Sequence, residues 1–295
     1  MVPVALQQRP ARHPKTRPST PIEPTNAGSP LERGDFLARL RDRSALRPSF
    51  DPNLPGGLRA WLEDGASALV ATRGDDAPPM FLGPRLLLGQ PGATASARQA
   101  GNLPSQLVLS SLVHALFTQL VTIGSIDDPL TDALDALSLH PNKLDLVHHI
   151  NGLDRRARSA LEADLACHVA HLTSLTPAFL PGWLPRTDDR VAIALAGGRV
   201  ILGGVFDLLV GAPMPGQASV CAVQLTSGGP WAFARAALHY LALLETLRNG
   251  SPPYRLALLD SSVGRYVTED IQEEHVRAMA AHVVTRLTNL GGHHE

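Results

Sequence analysis

RVAIALAGGRVILGGVFDLLVG, residues 190–211, is the stretch on which the architecture turns. Two runs of β-branched and small apolar residues flank Gly197-Gly198, which reads as two strands joined by a tight turn. One acid, Asp207, stands inside the second run, between Phe206 and Leu208. An ionised carboxylate in such a run is costly unless paired or ligated, so Asp207 is the first candidate functional residue.

Downstream, ASVCAVQLTSG (218–228) reads as a further short strand and PWAFARAALHYLALLETLRNG (230–250) as a long helix. Gly250 stops that helix and Pro252-Pro253 forbid its continuation. PYRLALLD (253–260) reads as a strand, and TEDIQEEHVRAMAAHVVTRLTNLGG (268–292) as a helix with an acid-rich first turn, ended at Gly291. The order β-β-β-α-β-α, preceded by helices, is that of an α/β sandwich.

Upstream the pattern is helical. Residues 153–175 predict a helix that buries Leu161, Leu165 and Cys167. Asp127-Asp128-Pro129 predicts an N-cap with Pro at the first position and a helix through Leu137. The acids there do not follow calcium-loop spacing. Residues 104–122 predict a strongly apolar helix, 90–104 a loop, and 79–89 extended chain broken at Gly83-Pro84. Residues 58–73 read as a helix (LRAWLEDGA) followed by a strand (SALVATR), and 31–48 as a short amphipathic helix presenting Phe36, Leu37 and Leu40. Residues 1–30 hold Pro3, Pro10, Pro14, Pro18, Pro21, Pro24 and Pro30 with Arg9, Arg12, Lys15 and Arg17, which predicts a disordered tail. A solvated tail is the preferred reading over a basic arm on phosphate. The expected organisation is a 1–30 tail, a 31–104 helix/strand extension and a 105–290 core.

The 295 residues are 44% hydrophobic and 18% charged with a net charge of −1, so bulk charge demands neither nucleic acid nor an anionic membrane. Two cysteines, Cys167 and Cys221, rule out a disulfide framework and a four-cysteine zinc site. No charge-free apolar run approaches the roughly 18 residues of a membrane span. The expected location is therefore the cytoplasm. Of 26 basic residues only Lys15 and Lys143 are lysine, a bias expected of a high-GC bacterial genome. It bounds the chemistry: no P-loop exists, and neither GxGxxG nor GxSxG occurs.

Gly204-Val205-Phe206-Asp207, then Ala222-Val223-Gln224-Leu225-Thr226-Ser227-Gly228, then a helix bearing Tyr240, resemble the RecB-like branch of the PD-(D/E)XK nuclease superfamily. That family carries Gly-x-x-Asp on one strand, (Asp/Glu)-x-Lys and Thr-Gly on the next, Gln-x-x-x-Tyr on the following helix, and Gly-x-x-His on a helix upstream. The resemblance covers roughly residues 105–260. It implies a restriction-endonuclease-like sandwich, a mixed sheet flanked by helices, with a helical N-terminal region. It also implies metal-assisted phosphodiester hydrolysis, in which carboxylates and a His hold Mg²⁺ or Mn²⁺ and a lysine offsets building charge.

Gly204, Asp207 and Tyr240 match the motif, and His114 matches with Ser111 in the glycine position. Gln224 stands where the second carboxylate belongs, Thr226 where the lysine belongs, and Ala236 where the helix glutamine belongs. Under the resemblance Asp207, Gln224, Thr226 and Tyr240 are vestigial catalytic positions, and Asp207 with His114 is what remains of the metal site. A neutral amide adds no charge to a cation site, and losing one electrostatic donor costs about 10²–10³ in rate. Arginine from another element (Arg235 or Arg255) can offer charge but never acts as a base.

The expectation is a degenerate nuclease-fold protein that binds DNA or a protein and needs no cofactor. A helicase or other DNA-processing partner is implied by analogy alone, and no membrane is expected. Two rivals stand beside it. One is a live Mg- or Mn-dependent DNA nuclease with a migrated site that recruits a carboxylate such as Glu162 or Asp164. The other is an α/β interaction protein with no nucleic-acid role. Arg155, Arg156 and Arg158 form the best internal basic cluster for DNA, although a solvated helix face explains them as well. His114 and Tyr240 are compatible with core roles, and Gln224 with a cross-strand bond. His148-His149 and His168/His171 lack paired zinc-ligand spacing. His239, His275 and His282 show no partner pattern.

Overall fold

A computed structural model describes residues 36–41, 50–74, 77–89, 105–176 and 181–291. The expected 1–30 tail, the 90–104 loop and the flanks of the 31–48 helix lie outside them. The chain is an α/β protein with a mixed six-stranded open sheet between two helical layers. In chain order the elements are α1 (Phe36–Arg41), α2 (Leu54–Arg73), β1 (Met80–Leu82), α3 (Pro84–Leu87), α4 (Ser105–Thr122), α5 (Pro129–Ser138), α6 (Leu144–Asn151) and α7 (Arg155–Leu175). The second half supplies β2 (Arg186–Leu195), β3 (Val200–Val210), β4 (Cys221–Thr226), α8 (Trp231–Asn249), β5 (Arg255–Asp260), β6 (Arg265–Asp270) and α9 (Glu273–Gly291).

Local signals account for the helix starts. Asp128 caps α5 by accepting the Thr131 N–H at 3.1 Å, with Pro129 at the first position. Asp154 caps α7 by accepting the Ala157 N–H at 2.8 Å. Asp132 accepts the Asp127 N–H at 2.9 Å and the Gln119 amide at 3.2 Å, so the local acids close a turn. Gly250 ends α8 in the left-handed region, at φ 77°.

β2 and β3 form the expected hairpin, paired from Leu195↔Val200 to Arg186↔Leu209. β2 takes one edge of β3 along its whole length. The other edge is shared: β1 runs parallel to Val200–Leu202, and β4 runs antiparallel to Leu208–Val210. β5 is parallel to β4, and β6 closes the far side antiparallel to β5. One apolar cluster joins α1 and α4–α7 to Leu208, Val210, Cys221, Val223, Leu225, Ala257 and Leu259. The other joins α2, α8 and α9 to Val191, Ile193, Val200, Leu202, Phe206, Leu209 and Leu256. Contrary to the expectation that no apolar run is long enough, α4 has the length and apolar character of a membrane-crossing helix, but in this fold Val108, Leu112, Val113, Leu116 and Phe117 are buried in the first cluster.

Several expectations are corrected. Residues 58–73 are not helix then strand; α2 is one helix to Arg73. Leu58, Leu62, Ala66 and Leu69 keep one stripe turned inward across the supposed break. Gly65 marks a close helix contact, since a Cβ there would lie 3.3 Å from Val284 Cγ1. Pro84–Leu87 is a helical turn after β1, with proline at its first position. Thr268–Asp270 belongs to β6, and the last helix starts at Glu273. This edge strand is half-buried and acidic, so it imitates a helix's first turn. α6 was not expected, being only eight residues long. Cys167 is exposed, and Cys221 is the buried thiol, its pKa pushed up to about 12 by burial.

Candidate functional site

The regular β2–β3 ladder lacks one pair, Asp188 opposite Asp207. Asp188 sits at φ 52°, a strained conformation for a side chain other than glycine. Here strand alternation breaks. Phe206 and Leu209 enter one cluster, and Leu208 and Val210 enter the other. Asp207 is thereby turned to α4, and its neighbour Leu208 faces the same layer. Beyond Leu208↔Val223 the β3–β4 ladder ends, and the Asp207 carboxylate bridges the opening.

Asp207 is buried and both of its oxygens are engaged. His114 Nδ1 lies 3.2 Å from Oδ1. The Leu225 N–H donates to Oδ2 at 2.6 Å, and the Gln224 amide donates to the same oxygen. Burial pulls the His114 pKa down, but the charge and hydrogen bond of Asp207, helped by Asp188, outweigh it and leave it above the usual histidine value. His114 therefore holds a proton more readily than an ordinary histidine does. Asp188 in turn accepts the Thr118 hydroxyl at 3.3 Å, so α4 touches both strands at the missing pair.

The structure thus gathers His114, Asp207 and Gln224. Gln224 Oε1 is buried with no hydrogen-bond partner among the described residues. Thr226 follows two positions on, paired with Asp260 across β5. Its hydroxyl accepts the Gly229 N–H at 3.1 Å, and its carbonyl accepts the Ser261 N–H at 3.0 Å and the Ser261 hydroxyl at 3.1 Å. Gln106, near the start of α4, donates to the Ser227 carbonyl at 2.8 Å and ties the helix to the same loop.

Tyr240 is fully buried, and burial raises its pKa. Its hydroxyl donates to the Leu82 carbonyl at 3.0 Å and also approaches the Gly203 carbonyl at 3.4 Å. It fastens α8 to both strands at the other end of the β3 gap. Gly204 lets α8 come this close, since a Cβ there would collide with Leu241 Cδ2.

Other candidates do not converge on Asp207. Arg155 and Arg156 are exposed at the start of α7, and Arg158 pairs with Glu162 at 3.1 Å. Asp164 is exposed on the same helix. Arg235 holds Glu269 at 2.6 Å, and Arg255 holds Asp270 at 2.7 Å, so neither is brought to Asp207. His168 and His171 meet Ser261. His239 does have a partner, Glu269, and its ring lies 5.4 Å from that of His275. Among the described residues no three His, Cys, Asp or Glu side chains form a cluster fit for a metal. Sequence reasoning missed Asp188, Gln106 and Ser261. The Asp188-Asp189 doublet at the start of β2 was the visible sign of the first, and the other two carried none.

No family model matches the chain, and no curated protein is similar to it.

Proposed function

We propose that this chain is a catalytically silent relative of the RecB-like PD-(D/E)XK nucleases that serves as a binding module for DNA or a protein. The observation that carries the reading is the saturation of Asp207. Its two oxygens face a histidine inclined to hold a proton, a carboxamide and a backbone N–H. A hard divalent cation needs several oxygens, preferably charged ones, and reluctantly sheds water. Here it would find the Asp207 carboxylate already occupied, one amide oxygen and an imidazole bonded to that carboxylate. The donor set does not fit Mg²⁺ or Mn²⁺, and no hydrolytic step is derived through one.

What supports kinship is the joint placement of Gly204, Asp207, Gln224, Tyr240 and His114 around one opening in a mixed sheet. What supports silence is that the positions of the second carboxylate and the lysine hold neutral side chains, and that Arg235 and Arg255 are both engaged elsewhere. The test is cleavage of single- and double-stranded DNA with Mg²⁺ or Mn²⁺, with Asp207→Ala prepared alongside. No cleavage by either folded protein is expected. Metal-dependent cleavage lost in Asp207→Ala would overturn the reading. DNA affinity measured across salt concentrations, with and without residues 1–30, tests the ligand. Binding that vanishes with those residues would mean the fold is not the DNA reader.

A further inference from the structure

We propose that His168 is an acid-sensitive latch that fastens α7 to the carboxyl ends of β4 and β5. His168 lies on the inner stripe of α7 with Leu165, Leu172 and Leu175, all buried. Its Nδ1 is 2.8 Å from the Ser261 hydroxyl oxygen. That hydroxyl donates to the Thr226 carbonyl at 3.1 Å, so its oxygen receives the His168 Nδ1–H. The Ser261 N–H reaches the same carbonyl at 3.0 Å. One turn on, His171 donates from Nδ1 to the Ser261 carbonyl at 2.8 Å. Two histidines of one helix thus grip one fully buried serine, which in turn holds the end of β4.

The tautomer decides the chemistry. With the Nδ1 hydrogen donated, Nε2 is the site a proton takes, and the ring becomes a cation at 6% exposure. The titratable groups acting on it are Asp260 from β5 and Asp164 and His171 from α7 itself. Asp260 is already engaged by the Trp231 indole N–H at 3.0 Å, the Ser262 N–H at 2.9 Å and the Ser262 hydroxyl at 2.6 Å. Asp164 is exposed to water. Burial and the neighbouring His171 accordingly outweigh the two acids and lower the His168 pKa. The turn after Ser261 is fitted to the same helix: a Cβ at Gly264, φ 62°, would stand 2.8 Å from His171 Cδ2. A proton on His168 forces a choice between a buried cation that Asp260 and Asp164 only partly offset and separation of α7 from Ser261. Separation loosens Ser261 from Thr226, and with it the Thr226–Gly229 loop beside Gln224. The latch holds whether the module binds DNA or protein.

The test is a histidine NMR titration of the full chain, joined to amide hydrogen exchange at pH 7.5 and pH 5.0, corrected for intrinsic rates. His168 is expected to titrate below the ordinary 6.5. At the lower pH, α7 and Thr226–Gly229 should lose roughly 10-fold or more protection, while α2 and α9 hold. His168→Asn retains a donor near the Nδ1 position and cannot take the proton, so its exchange should not change with pH. A wild-type His168 that titrates at or above 6.5, protection indifferent to its titration, or equal acid loosening in His168→Asn would each overturn the latch. The two wild-type measurements decide the matter alone if the variant does not fold.

Discussion

His114 on α4 meets Asp207 on β3, Nδ1 to Oδ1 at 3.2 Å, where the β3–β4 ladder opens. The pair links the helical layer to the sheet, and the two partners are unequal. Asp207 is buried with three donors, whereas His114 keeps a third of its side chain in water. Asp207→Ala strands the Leu225 N–H and is expected to destabilise by about 1–3 kcal/mol. His114→Gln should cost less, about 0.5–1 kcal/mol, because water screens that partner. A double-mutant cycle by urea unfolding checks this. Additive losses would show that the pair is not coupled.

Gly204 is demanded by packing. A methyl there collides with Leu241, itself buried among α8 and the sheet. Gly204→Ala is expected to cost about 1–3 kcal/mol as overpacking. Combining it with Leu241→Ala should cost less than the two losses added together, since the collision is then relieved. A Gly204→Ala midpoint equal to wild type would show that α8 has slack.

Tyr240→Phe removes only the hydroxyl that holds the Leu82 and Gly203 carbonyls. The expected loss is about 1–2 kcal/mol. Hydrogen exchange should place it locally, with Met80–Leu82 losing protection more than β4 or β5. Uniform loss across the sheet would show that the tie is not specific to β1.

Glu269 supplies the acid limb of stability. Burial alone would raise its pKa, but the bond and charge of His239, with Arg235, take it from 4.5 to about 2. A depressed folded pKa means the contribution is present above 4.5 and disappears as pH falls from 4.5 toward 2. About 1–3 kcal/mol should go over that window, and Glu269→Gln should flatten it. Unfolding free energies from pH 6 to pH 2.5 test the sign and the window.

The sheet was legible wherever strands are apolar and turns are glycine-rich, as in Val191–Val210. It was not legible at β6, where RYVTED pairs with β5 yet carries the acids of a helix start. α2 was cut short because Gly65 reads as a break in sequence and as a contact in space. At the site, Asp207, His114, Gln224 and Tyr240 were visible as a spaced pattern. Asp188 was not, because its part depends on a positive φ and a missing pair in the ladder. Gln106 and Ser261 act through backbone carbonyls, which no residue type announces.

β3 is the one strand common to both portions of the sheet, and its partners on the two edges form on different schedules. β2 joins it through a short turn, a local contact made early. β1 must wait: Met80 meets Val200 only after the helices α4–α7, which intervene in sequence, have been gathered aside. The residues between the β1 and β4 attachments, Gly203 to Asp207, are thus the seam where a late-arriving N-terminal piece is sewn to a C-terminal piece that can assemble without it. Tyr240 closes one end of that seam and Asp207 the other. A chain still leaving the ribosome would have nothing for β1 to pair with until β3 emerges, so β1 is the part of the sheet exposed longest during synthesis.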